Sequence, residues 1–260
     1  MLILLPPSEG KESPVSGGPL ALPQLSFPTL TDTRMAVTDA LVRLCDGPAA
    51  KARTTLGISI RQDGELERNR RLLSAPTAPA GEIYRGVLYD ALDLGSLGTR
   101  ARGRAAKDLA IASALFGLVR VNDHIPAYRL SANTVLPGVG RLSAAWRDVV
   151  SVALVAAAGR GIVIDMRSSA YVSLGPVPAA LADRTAVIRV LQDRGGRRVV
   201  VSHHNKATKG YLTRTLLHEP RATSVDGLVR ILSGAGYPVE TAAPRRAGDP
   251  WTLDVIVDEV

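Results

Sequence analysis

The sequence predicts an α+β protein (mixed α/β) in which a central mixed sheet is surrounded by helices. Short apolar runs of strand character occur at 2–5, 161–165 and 198–202, and each leads straight into polar residues. Patterns of helical period lie between them, and the two kinds of segment interleave without strict alternation. A chain of 260 residues supports one large core, so 1–260 reads as a single domain.

The elements follow in order. Residues 2–5 form a first strand that runs into Pro6, Pro7, Ser8, Glu9, Gly10 and Lys11. Proline and glycine concentrate over 11–28, an irregular excursion. Met35, Leu41, Val42 and Cys45 recur at helical spacing over 31–45, with Thr31 or Asp32 as N-cap and Gly47-Pro48 as the stop. Shorter helices are expected at 49–56 and 64–73. Helix, Gly-Pro turn, helix over 31–73 is the outline of a helix-hairpin-helix, which binds DNA phosphates through backbone N–H groups, and it equally fits an ordinary helical pair. A helix over 82–94 carries Tyr84 and Tyr89, and 109–118 reads as a buried strand turning at Gly117. A helix at 142–158 stops at Gly159. Further strands are expected at 186–191, 239–242 and 253–257, and further helices at 205–218, with Asn205 as N-cap, and at 225–233.

Composition limits the function. The apolar fraction of 46% is that of a globular protein. No apolar run approaches the roughly 20 residues of a membrane span. The opening MLILL is too short for a signal-peptide core and has no basic flank before it. Cys45 is alone, which removes an internal disulfide framework. The chain therefore reads as a cytoplasmic monomer with no membrane partner. The net charge is +8, yet only five of the 32 basic residues are lysines, a bias that a GC-rich genome produces without selection for nucleic acid. A basic surface attracts polyanions whatever its origin.

The loop PPSEGK is no P-loop, because Leu5 stands where the first glycine belongs and Glu12 follows Lys11. Ser8-x-x-Lys11 matches the S-x-x-K of serine acylases, but S-D-N and K-T-G are absent and Gly10 beside two prolines disfavours the helical turn. What remains is a hydroxyl, a carboxylate and an ammonium beyond a strand end, where α/β sheets bind ligands. On the 205–218 helix, Lys206, Lys209, Gly210, Thr213 and Arg214 share an arc of roughly 140°. Gly210 in that arc would admit an anionic backbone; the same pattern also fits a solvated amphipathic face. His203 and His204 are adjacent and point apart on a strand end, so no metal site is expected and no cofactor is implied. Around Pro126, the residues Arg120, Asp123, Tyr128 and Arg129 suit phosphate or a planar base, or else an Arg–Asp pair that fastens a loop. Ser168 and Tyr171 end another strand with hydroxyls.

Together these segments resemble the YaaA family of bacterial peroxide-stress proteins. The resemblance is carried by the first strand with its Pro-Ser and Lys loop, by Tyr84, Gly86 and Tyr89, by the Leu-Phe-Gly-Leu-Val-Arg…Pro-x-Tyr-Arg-Leu block, by Trp146-x-Asp148, by Ser168-x-x-Tyr171 and by Lys206-x-x-Lys209-Gly210. It implies a family-specific mixed fold with a basic cleft and a helix-hairpin-helix-like element. It also implies a DNA-binding role that limits iron-driven damage under hydrogen peroxide. Carried over, Lys11, Arg120, Tyr128, Arg129, Ser168, Tyr171, Lys206 and Lys209 would line the cleft, with Arg214 beside them. The sequence departs from the family in its longer first loop and in Ser169-Ala170, where acidic residues are expected, and it matches only loosely over 47–73. The leading expectation is sequence-independent binding of double-stranded DNA. The alternative is an enzyme acting on a nucleotide, nucleobase or other small anion, with Ser8, Lys11, Arg129, Tyr171 and Lys206 as its working residues.

Overall fold

The computed structural model describes residues 1–194, 197–199 and 202–257. Its architecture is mixed α/β, with helices packed around one mixed sheet. The strands are β1 (Leu2–Leu5), β2 (Leu109–Ser113), β3 (Gly117–Val119), β4 (Val163–Asp165), β5 (Thr185–Arg194), β6 (Arg197–Val199), β7 (Val239–Ala242) and β8 (Trp251–Val257). Their spatial order is β7-β8-β5-β4-β1-β2-β3, with β6 paired to β5. The inner five, β8 to β2, are parallel, and the outer pairs β7–β8 and β2–β3 are antiparallel. Every residue of β1, β2 and β4 is buried, as expected of parallel strands covered on both faces. Register is fixed by pairs such as Ile3↔Leu109 and Ile3↔Ile164.

The helices begin with α1 (Thr31–Asp46), α2 (Ala49–Leu56) and α3 (Gly64–Arg70). α1 has no side-chain cap; a 3-10 turn ending at Leu30 leads into it instead of Thr31 or Asp32 capping it. The helix-hairpin-helix element is not shown: α1 to α3 bury Leu41, Cys45, Ala52, Leu56 and Leu66 among themselves and the core, and Arg70 Nε donates to Cys45 O at 2.7 Å, closing the end of α1. The single helix expected over 82–94 is two, α4 (Ala80–Ile83) and α5 (Val87–Leu92). Gly86 between them has φ +108, a conformation outside the helix, and Tyr84 leaves the helix to bridge Lys11. Likewise 109–118 is a hairpin rather than one strand, turning at Ala114–Phe116, with Gly117 at φ +71 under the Trp146 ring. Trp146 Nε1 donates to Ala114 O at 2.9 Å, which fixes that turn.

The remaining helices are α6 (Thr99–Asp108), α7 (Leu142–Ala158), α8 (Ser169–Val172), α9 (Ala179–Ala182), α10 (Ser202–His218) and α11 (Val225–Gly234). α10 starts three residues before the expected cap, so Asn205 lies within it. Part of the strand expected at 198–202 falls outside the described residues, as do the side chains of His203 and His204. No helix among the described residues is long and apolar enough to cross a membrane.

Candidate anion-binding site

β1 sits between β4 and β2, and the chain leaves β1 towards one side of the sheet and fills the other side later. The loops after the carboxyl ends of β1 and β4 therefore diverge there, at the crevice where open α/β sheets bind ligands. The loop after β1 is PPSEGK, and the loop after β4 holds Arg167 and Ser168.

The PPSEGK loop is held by its own polar atoms. Ser8 Oγ donates to Gly10 O at 2.6 Å and accepts from Arg85 N at 3.1 Å. Lys11 turns back, and its Nζ donates to Ser8 O at 2.9 Å and Glu9 O at 3.4 Å. The ammonium stands 4.3 Å from the Tyr128 ring centroid and 5.6 Å from that of Tyr84. Behind it the hydroxyls form a chain, with Ser113 Oγ 2.7 Å from Tyr128 Oη, itself 3.0 Å from Tyr84 Oη. Ser113 Oγ already accepts from the N–H groups of Leu115 and Phe116, so its proton goes to Tyr128 and that of Tyr128 to Tyr84. Tyr89 stacks on Tyr84 with centroids 5.5 Å apart and donates to Pro6 O at 2.8 Å. Burial holds all three phenols well above their usual range.

Arg129 supplies the second cation. Asn69 on α3 clamps its backbone from both sides, with Nδ2 donating to Arg129 O at 2.8 Å and Oδ1 accepting from Arg129 N at 2.9 Å. The guanidinium reaches Glu9 at 3.2 Å, and its Nε is buried without a partner. Burial lowers the Lys11 pKa from 10.5 to about 7; the charge of Arg129 and then of Arg68 acts in the same direction, against Glu65 and Glu9. Tyr171, on α8, is held above its usual range by burial and by the neighbouring Tyr128 and Glu9, while Arg129 and the backbone of Ala132 act the other way. The site thus gathers Ser8, Glu9, Lys11, Arg129 and Tyr171 over a floor of tyrosines, with α3 as its second wall.

A family model described as "Peroxide stress protein YaaA" matches residues 1–243. The chain belongs to this family. It is 50% identical to a UPF0246 protein of Streptomyces coelicolor over the full length of both chains. A UPF0246 protein of Corynebacterium efficiens is 46% identical over 99% of this chain and 100% of its own. A third, from Corynebacterium glutamicum, is 44% identical over 92% and 95%.

In this YaaA-family chain the other sequence-predicted cations are differently placed. Lys209 is buried and donates to Met166 O at 2.9 Å, with burial lowering its pKa against the opposing charge of Asp165. Arg214 donates to Leu92 O and Asp93 O, both at 2.9 Å, and to Ser96 Oγ, closing the end of α5. Arg120 lies on Phe27, its guanidinium carbon 5.0 Å from the ring centroid, and donates to Leu109 O. Asp123 accepts from the Arg120 and Ser26 backbone N–H groups and from Ser26 Oγ, so it fastens the loop, but not by an Arg–Asp ion pair. The arc of α10 that holds Lys209, Gly210 and Thr213 faces inward, because a Cβ on Gly210 would stand 2.3 Å from Leu88 O. Gly210 admits α5, not an anionic backbone. Lys206 is exposed at the start of α10, and Ser168 is exposed at the N-terminus of α8.

Two buried arginines were not legible in the sequence. Arg167 pairs with Asp165 at 2.7 Å and donates to Gly175 O, with both side chains almost wholly buried. Arg34 donates to the carbonyls of Phe116, Leu118 and Ser26. An Asp two residues before an Arg at a strand end was the available signal for the first pair. Asn69 carried no signal at all.

Two cavities, each of about 600 Å³, border α5. The first is walled by Tyr84, Tyr89, Arg85, Asp90, Asp93 and Arg102, and the second by Asp90, Asp93, Tyr211 and Arg214. Neither is lined by Lys11, Arg129 or Tyr171.

Proposed function

We propose that this peroxide-stress protein binds duplex DNA without sequence preference, through phosphate contacts at a site built on Lys11 and Arg129. The observation that carries the reading is Arg129 beside the Lys11 ammonium, with a buried Nε–H that has no partner. The repulsion between Lys11 and Arg129 is a cost to the free protein, and a phosphate placed between them offsets it. Arg129 offers a buried Nε–H with no partner, and its ion pair goes to Glu9, whose side chain is 85% exposed and readily exchanged for a phosphate. Lys206, Ser168 and Tyr171 extend the contact surface. The net charge of +8 adds long-range attraction to a polyanion.

The test is fluorescence anisotropy of a labelled duplex titrated with wild type, Arg129→Ala and Lys206→Ala at several salt concentrations. Each phosphate contact removed should flatten the plot of log K against log salt by about 0.9. Asn69 holds the backbone of residue 129, so the alanine variant keeps the local fold. Absence of wild-type binding at low salt, or binding that Arg129→Ala leaves unchanged, would reject the reading.

The enzyme reading is favoured by one observation, the placing of the Lys11 amine against the Tyr128 and Tyr84 rings, where burial lowers its pKa. Burial shifts this amine towards the neutral form that a nucleophile or base requires.

A further inference from the structure

We propose that Lys11 is an amine nucleophile that condenses with an aldehyde carrying a phosphate, an inference that rests on the phosphate-binding role proposed above for the same site. A neutral lysine amine has two N–H bonds and one lone pair. Lys11 Nζ has two backbone carbonyls within reach, Ser8 O at 2.9 Å and Glu9 O at 3.4 Å, so both N–H bonds can be held while the lone pair stays uncommitted. Burial, Arg129 and Arg68 all favour this neutral form near pH 7. The imine, once protonated, is a cation, and the faces of Tyr128 and Tyr84 stabilise it. The unpartnered Nε–H of Arg129 supplies a donor for a phosphate attached to the aldehyde.

The step balances without a cofactor. The nitrogen lone pair attacks the carbonyl carbon, a C–N bond forms, and the carbonyl π pair moves to oxygen, which takes a proton from nitrogen. The resulting hydroxyl leaves as water with the second amine proton, giving an imine that solvent protonates. Amine plus aldehyde becomes imine plus water, and nothing is oxidised or reduced. An aldehyde flanked by phosphate exists in two chemical settings, the abasic sugar of a damaged duplex and a small phosphorylated aldehyde.

The experiment uses the full chain with borohydride, which reduces an imine to a stable secondary amine. One arm uses a duplex with a single abasic site beside an intact duplex of the same sequence. The other uses pyridoxal 5′-phosphate, with the modified lysine mapped by mass spectrometry. The proposal expects a protein–DNA adduct at Lys11 with the abasic duplex only. It also expects pyridoxal 5′-phosphate to modify Lys11 at least about tenfold faster at pH 7 than the exposed Lys51, Lys107 and Lys206. Lys11→Arg keeps a cation in the loop and cannot form an imine, and its circular dichroism and melting profile establish whether it folds. Should it not fold, the mapped lysine in the wild type decides.

A pyridoxal adduct at Lys11 without a duplex adduct supports the amine chemistry and assigns it to small phosphorylated aldehydes. Binding of the intact duplex with no adduct at Lys11 in either arm overturns the inference and leaves the DNA reading standing. Adducts on the exposed lysines at the same rate overturn it as well. A pyridoxal adduct at Lys11 in a protein that binds no duplex would remove the DNA reading alone.

Discussion

Replacing Lys11 by methionine should remove a pH dependence that the wild type carries. Folding lowers the Lys11 pKa from 10.5 to about 7, chiefly by burial. Between those two values the unfolded chain holds a proton that the native chain has released, so stability rises with pH across that window. Below about 7 both states are protonated and the full cost is present; above 10.5 it is gone. The effect amounts to about 2 kcal/mol between pH 7 and 9, at about 1.4 kcal/mol per pH unit in the steep part. The assay is urea denaturation at 25 °C at intervals from pH 6.5 to 9, comparing wild type with Lys11→Met. The wild type should gain about 2 kcal/mol more than the variant over pH 7 to 9. Lys209, whose pKa burial also lowers, contributes equally to both proteins and cancels. The upper limit is set by Tyr84, Tyr89 and Tyr128, which titrate near 10 when unfolded and higher when folded, and so destabilise the native state at more alkaline pH. The lost contacts to Ser8 and Glu9 carbonyls shift the variant's curve without tilting it. Parallel curves would refute the reasoning and place the Lys11 amine in water.

Two further substitutions test the packing on which the site stands. In Gly210→Ala the new Cβ meets Leu88 O at 2.3 Å and Ala91 Cβ at 2.8 Å, an overpacking cost of about 1–3 kcal/mol against a helix-propensity gain of about 1 kcal/mol. A fall in Tm of up to about 8 °C is expected by scanning calorimetry, and a raised Tm would mean that this helix face is exposed. Arg167→Ala leaves Asp165 buried without its partner and should cost about 3–5 kcal/mol in urea denaturation, while a loss within about 0.5 kcal/mol would show that the pair is solvated.

Much of the fold was legible because it rests on local pattern. The run at 2–5, and that at 161–165 up to its closing Asp165, form interior strands because their apolar side chains must be buried on one face or the other. The helices at 142–158 and 225–234 end where glycine or a bend allows them to. The break of 82–94 at Tyr84–Gly86 was not legible, since helix period continues through it; what wins is the bridge from Tyr84 to Lys11, 73 residues away in sequence by their numbers.

For the site, the sequence by itself determined the inventory: a lysine loop after the first strand, arginines and tyrosines at other strand ends, and the ordered motifs of the YaaA family. Only the tertiary structure decided which cations remain available. Lys209 and Arg214 share the arc of Lys206, yet their charges are taken up by the carbonyls of Met166 and of Leu92 and Asp93, groups 43 and 121–122 residues away. Lys11 keeps its place in the loop but gains a different chemistry from Tyr128, Arg129 and Arg68. A side chain's type fixes the charge it can carry. Its burial and its non-local partners fix whether that charge is stored in the fold, offered to an anion, or given up altogether.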